Sequence, residues 1–180
     1  MIHPAPERII FCYAEWQDLY DEMENVEFYK GLDESLVSSE NLQGKNTFLI
    51  MDDISDSVDE KFIAALYSRF SHHRAISVAF LINNLFFRGL KNMRDVSLNT
   101  HYFLLQRSFR DQSAVAAMAR QMFSQSYKRM VQAYADICTK PYGYLLVDCR
   151  PSADDSIRLR TNIFPGEVTV CYIEKKNGKA

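Results

Sequence analysis

Glycine and proline are sparse in this chain, six and five among 180 residues. That scarcity excludes collagen-like and mucin-like architectures. Neither charge sign dominates: 21 Lys and Arg against 23 Asp and Glu leave a formal charge of −2 and an isoelectric point near 6.1. A broadly basic protein that coats DNA is thereby excluded, although the cations present still suffice for a local stripe. No run approaches the roughly 20 apolar residues that a membrane span needs. The start, Met1-Ile2-His3-Pro4-Ala5-Pro6-Glu7-Arg8, lacks a basic segment followed by an apolar signal core. An intracellular protein, cytoplasmic or nuclear, not secreted and without membrane partners, is expected. Cysteine is limited to positions 12, 138, 149 and 171, with no Cys-x-x-Cys pair. Three of the four lie in strand-like apolar runs and Cys138 on the apolar face of a helix, so buried, reduced thiols are expected. The sequence is otherwise 47% hydrophobic, which excludes disorder and suffices for a sizeable core.

Short apolar runs alternate with helical patterns. Arg8 to Glu15 reads as a strand, followed by a polar, acidic helical stretch over Gln17 to Glu24. Asn46 to Asp53 is apolar without alternation until its two terminal acids, the pattern of a strand covered on both faces. Ser57-Val58-Asp59-Glu60 reads as a capping box. Behind it Val58, Phe62, Ile63, Leu66, Tyr67 and Phe70 recur at helical spacing. Ala75 to Ile82 and His101 to Gln106 predict further strands. Two helices follow, one striped by Val115, Met118 and Met122, the other by Tyr127, Met130, Tyr134 and Ile137. Tyr144 to Cys149 predicts a strand, and Ile157 to Ile163 alternates like an edge strand. Strands alternating with helices predict a three-layer α/β fold around a mostly parallel sheet. Ligands of such sheets bind at the carboxyl ends of the strands.

Phe48-Leu49-Ile50-Met51-Asp52-Asp53 is the strongest local signal. In a nucleotide-hydrolysing α/β domain such a strand delivers one carboxylate to Mg²⁺ on the phosphates, while the next orients or deprotonates a water. A plain strand end is the other reading. Tyr144 to Asp148 ends in a single acid, read as a partner of Arg150. Asn83 and Asn84 follow a strand directly, where amides either sense a γ-phosphate or close a turn. Adjacent His72 and His73 do not share a face and do not suggest a metal site. Arg69, Arg74 and Arg110 are either solvated side chains or phosphate contacts supplied to a neighbouring subunit. A phosphate loop, Gly-x-x-x-x-Gly-Lys-[Ser/Thr], is absent: Gly44-Lys45 is followed by Asn46 and preceded by Ser39 in place of the first glycine, and Gly178-Lys179 lies in the tail.

Taken as an ordered set, these segments resemble the genome-packaging ATPases of large DNA viruses and Maverick/Polinton elements, in the FtsK–HerA branch of P-loop NTPases. The resemblance runs from about Pro6 to Glu167. It rests on Pro6 to Tyr13, Leu49 to Asp53, Ser71 to Arg74, Ser77 to Phe86, Ser97 to Tyr102, Arg107 to Asp111, Lys140 to Asp148 and Leu159 to Glu167. It implies that Asp52 and Asp53 form the Walker B pair, Asp52 binding Mg²⁺ through water and Asp53 activating the hydrolytic water on ATP. It implies that Asn83 and Asn84 serve as polar sensors; the family usually has Gln at the position of Asn83, one methylene longer. Phe109 stands where a proline is common. The expected partners are double-stranded DNA, capsid or packaging components, and further copies in a ring, with Arg74 or Arg110 as arginine finger.

The resemblance further implies a single, partial ATPase domain over residues 1–170, with a strand end and polar tail over 171–180. The family's phosphate loop, with one strand and one helix, precedes the segment matching Glu7 to Tyr13. A fragment lacking the first strand and Walker A loop is therefore expected, marginally stable and inactive alone, with a gap inside its sheet. Two alternatives stand beside this: a non-enzymatic α/β interaction module, and an unrelated doubly wound domain with an accidental Asp pair.

Overall fold

The computed structural model describes residues 5–42, 44–54, 58–83, 93–110 and 112–174. The chain divides into two compact units, Met1–Asn99 and Thr100–Ala180.

The first unit is built on a parallel sheet of β1 (Arg8–Tyr13), β2 (Glu27–Lys30), β3 (Thr47–Asp52) and β4 (Ile76–Leu81), in the order β2-β1-β3-β4. Side chains alternate between the two faces of each strand. One face collects Ile10, Cys12, Leu49, Met51 and Ile76, all buried, in the register Ile10 opposite Leu49 and Cys12 opposite Met51. Helical segments cover that face: the short α1 (Ser39–Leu42), then α2 (Glu60–Ala65), a π-helical turn Leu66–Phe70, α3 (Ser71–His73), and α4 (Met93–Asn99). The predicted stripe delivers Phe62, Ile63, Leu66 and Tyr67 into the core, with Val58 and Phe70 packed at its margin.

The first unit corrects three expectations. Asp59, not Ser57, caps α2, its side chain accepting from the Lys61 amide; the Ser57 half of the expected capping box lies outside the described residues. The predicted two-sided cover of β3 is realised on one face, whereas Phe48 and Ile50 on the other are only half-buried. The acidic helix expected over Gln17 to Glu24 contracts to a 3₁₀ turn, Asp18–Glu22.

The second unit departs from the expected parallel sheet. Its strands β5 (Tyr102–Gln106), β6 (Tyr144–Asp148), β7 (Leu159–Thr161) and β8 (Val170–Cys171) lie in sequence order and pair antiparallel. The reason is the number of traverses. Between β5 and β6 run two helices of equal length, α5 (Gln112–Phe123) and α6 (Tyr127–Cys138), packed as a hairpin. Two helices return the chain to the end it left, so the next strand runs backwards; a single crossover helix would give a parallel pair. The expected edge strand over Ile157 to Ile163 is three residues long and lies between β6 and β8. Of the four thiols, Cys12 and Cys138 are buried, Cys149 half-buried and Cys171 exposed on β8, which corrects the expectation of four buried ones. Burial pushes the Cys12 thiol up to about 12.

Gly143 is the tight spot of this unit. It connects α6 to β6 through the turn Pro141-Tyr142-Gly143, and a Cβ built there would collide with the Ile137 carbonyl at the end of α6. Gly143→Ala is expected to cost about 2 kcal/mol or more, because the obstacle is backbone and cannot rotate away. Chemical denaturation of the variant checks this; an unchanged midpoint would show that the turn relaxes freely.

Candidate active site

A parallel sheet gathers its carboxyl ends on one side. Here Tyr13, Lys30 and Asp52 end their strands in mutual register, and Leu81 of β4 stands opposite Asp52. The chain leaves β1 towards β2 and leaves β3 towards β4, so β1 and β3 flank the topological switch point, where crevices form in such sheets. Asp52 stands at that point on the half-exposed face.

Tyr20 fixes it. This residue is 3% exposed, and its hydroxyl donates to Asp52 Oδ2 at 2.6 Å. Burial, then the hydrogen bond and the neighbouring carboxylates of Asp52 and Asp53, push the phenol up to about 12, so it remains a donor at neutral pH. Its ring is held by Phe11, Tyr13, Trp16 and Phe28, with centroids 4.9–5.9 Å away. The sequence reading missed Tyr20; the only cue is a lone hydroxylated aromatic between acids in Asp18-Leu19-Tyr20-Asp21. Tyr20→Phe is expected to lower stability by about 1 kcal/mol, since the half-exposed Asp52 regains water as its partner. Urea unfolding followed by tryptophan emission reads this directly, and an unaltered midpoint would mean the bond contributes nothing.

Asp53 continues the strand into the left-handed region, with φ at 53°. A non-glycine residue there stores strain of order 1 kcal/mol, though Asp is among the side chains that tolerate it best. The twist separates its exposed carboxylate from the strand's own face and presents it to Asn83, whose Nδ2 donates to Asp53 Oδ1 at 3.4 Å. Asn83 thus meets Asp53. Three of the predicted residues, Asp52, Asp53 and Asn83, are brought together at the ends of adjacent strands; Asn84 lies outside the described residues. Asp52 commits Oδ2 to Tyr20, and its other oxygen suits a cation that keeps most of its own waters, as Mg²⁺ does. Among the described residues no group of three or more His, Cys, Asp or Glu forms a metal cage.

The two candidate arginines are placed differently. The Arg74 guanidinium donates to the Val37 carbonyl and lies over the Phe70 ring at 4.2 Å, so it is engaged within its own unit. Arg110, in the second unit, is exposed. Arg69 lies over Phe70 at 4.8 Å.

The rival acidic strand end is structural. Asp148 is 1% exposed and accepts from Arg150 at 2.8 and 3.0 Å and from Arg160 at 2.9 Å. The Arg150 hydrogen bond above all holds its carboxyl below the usual carboxylate range. Both oxygens are thus occupied by cations, and none remains to serve a metal or a water. Arg158 completes the cluster by donating to the Asp148 and Arg150 carbonyls.

The fold and this site together define an α/β protein with an acid pair at the carboxyl edge of a parallel sheet. Compared with family models, curated proteins and solved structures, the chain gives no match. No helix among the described residues is long and apolar enough to cross a membrane.

Proposed function

We propose that these residues form the magnesium- and water-handling half of an ATP-hydrolysing, DNA-translocating motor of the packaging-ATPase type, with a P-loop NTPase fold whose phosphate loop lies outside the 180 residues. The observation that carries this reading is the convergence of Asp52, Asp53 and Asn83 at the carboxyl ends of adjacent parallel strands, with Asp53 in a strained backbone. In this reading Asp52, held by Tyr20, binds the hydrated Mg²⁺ that neutralises phosphate charge. Asp53 takes or orients the proton of the attacking water. Asn83 donates to Asp53 and so ties the acid to the neighbouring strand, where a sensor belongs. Double-stranded DNA, packaging components and a ring of identical subunits are the partners.

The sheet edges support the same reading. Among the described residues β4 has one strand neighbour, β3, and β5 has one, β6. Neither Ile76–Leu81 nor Tyr102–Gln106 carries a charge or a proline, the usual protection of a true edge. In this reading the strand that leads into the phosphate loop pairs with the second edge of β4.

A second reading, a non-enzymatic interaction module, is favoured by the exposed apolar side chains Trp16, Leu19 and Met23. Phosphate release from MgATP by a chain extended upstream through Gly-x-x-x-x-Gly-Lys-[Ser/Thr] separates the two. Hydrolysis stimulated by linear duplex DNA is expected; an extended, folded chain without hydrolysis would leave the interaction module.

A further inference from the structure

Outside the acid pair, the most unusual surface is the segment joining β1 to β2. Residues 15–27 contain six acids and no Lys or Arg. Glu15 is bridged to Lys30 and Glu27 to Arg8. Asp18, Asp21, Glu22 and Glu24 are exposed and enter no ion pair among the described residues. Within this acidic stretch three large apolar side chains face solvent: Trp16 at 46%, Leu19 at 58% and Met23 at 36% exposure. An acidic segment has no solubility reason to expose a tryptophan, and exposed apolar groups rimmed by polar ones mark contact surfaces.

Trp16 is also fixed in place. Its ring meets Tyr13, Tyr20 and Phe28 edge-on, at 5.3, 5.4 and 5.1 Å. A rigid aromatic anchor loses little entropy on association, which is why such residues dominate binding energy.

We propose that Trp16, Leu19 and Met23 form a docking surface for a basic, apolar-anchored segment of a partner protein. The occupant follows from charge. The four carboxylates of this segment that enter no ion pair among the described residues repel nucleic acid and acidic surfaces and attract a segment carrying Lys or Arg beside its apolar anchors. The surface bears on the acid pair as well, because Trp16 packs on Tyr20, which holds Asp52. The docking claim itself does not depend on the ATPase reading.

Trp16 is the only tryptophan, so its emission reports binding without a label. The chain is titrated with a short amphipathic peptide of Lys and Leu, with a Lys and Ser peptide of equal charge, and with a Glu and Leu peptide. Saturable binding of the first alone, with a blue shift of Trp16 and weakening at high salt, is expected. Leu19→Ser should raise its Kd roughly tenfold, the usual loss when a buried anchor is removed. Replacing Asp18, Asp21 and Glu22 by their amides should raise it similarly. Equal binding of the Lys and Ser peptide would reduce the effect to bare charge and overturn the proposal. So would a Kd indifferent to Leu19→Ser, or no Trp16 response. A Trp16 shift that follows protein concentration alone, together with a dimer mass in sedimentation, would assign the surface to a second copy instead.

Discussion

Asp53→Asn, placed in a chain that carries its phosphate loop, is expected to lower kcat for MgATP hydrolysis at least about a hundredfold, the ordinary effect of removing a proton acceptor. The substitution isolates chemistry from folding. Asn tolerates the left-handed conformation as well as Asp does, so the backbone at φ 53° is not disturbed. The amide can still meet Asn83, but it cannot take a proton from water. Nucleotide affinity should stay within a few-fold, because in this reading the phosphates and Asp52 hold the metal, not Asp53. A loss confined to kcat is the expected signature. A variant that keeps nearly full kcat would remove Asp53 from the mechanism and return the acid pair to a strand end.

The largest effect on stability is expected at Asp148. Its carboxylate lies between Arg150 and Arg160 with almost no exposure of its own. Asp148→Asn leaves two guanidinium groups facing each other without a counter-charge. Both retain some access to water, at 43% and 21% side-chain exposure. The cost is therefore placed at about 2–3 kcal/mol, below that of a fully buried pair broken from one side. Hydrogen exchange at the Leu145–Val147 amides reads it within the second unit. The acid dependence has a definite sign. Because the carboxyl titrates lower in the folded chain, its contribution is fully present above the unfolded value of about 4 and is lost as pH falls through the depressed folded value. The wild-type protein should lose protection in that acid window, while the Asn variant should be flatter across it. Equal acid sensitivity of the two would show that Asp148 is not the group involved.

Much of the first unit was legible in the sequence, since its strands are uninterrupted apolar runs and its main helix carries a clear stripe. β2 was not, because Glu27–Lys30 is short, polar at both ends and recognisable only by its pairing with β1. The direction of β6 was also hidden: apolar patterning gives a strand no polarity, and the α5–α6 hairpin decides it. At the site, Asp52 and Asp53 announce themselves as acids ending a strand. Tyr20 reaches them from 32 residues away through a 3₁₀ turn, a long-range contact that no local pattern encodes. The positive φ of Asp53 is equally silent in sequence, as the residue is not glycine. Arg74 shows the converse: its identity suggests a phosphate contact, whereas its packing on Phe70 and its bond to Val37 engage it within the core's margin.

Isothermal titration of MgATP into two proteins, the 180-residue chain and one extended upstream through a phosphate loop, bears most directly on whether this acid pair belongs to an ATPase. Saturable heat from the extended chain alone, lost when Mg²⁺ is chelated, is the result expected from the geometry at Asp52 and Asp53. Absence of binding by a folded, extended chain would contradict it and leave the parallel sheet as the scaffold of an interaction module.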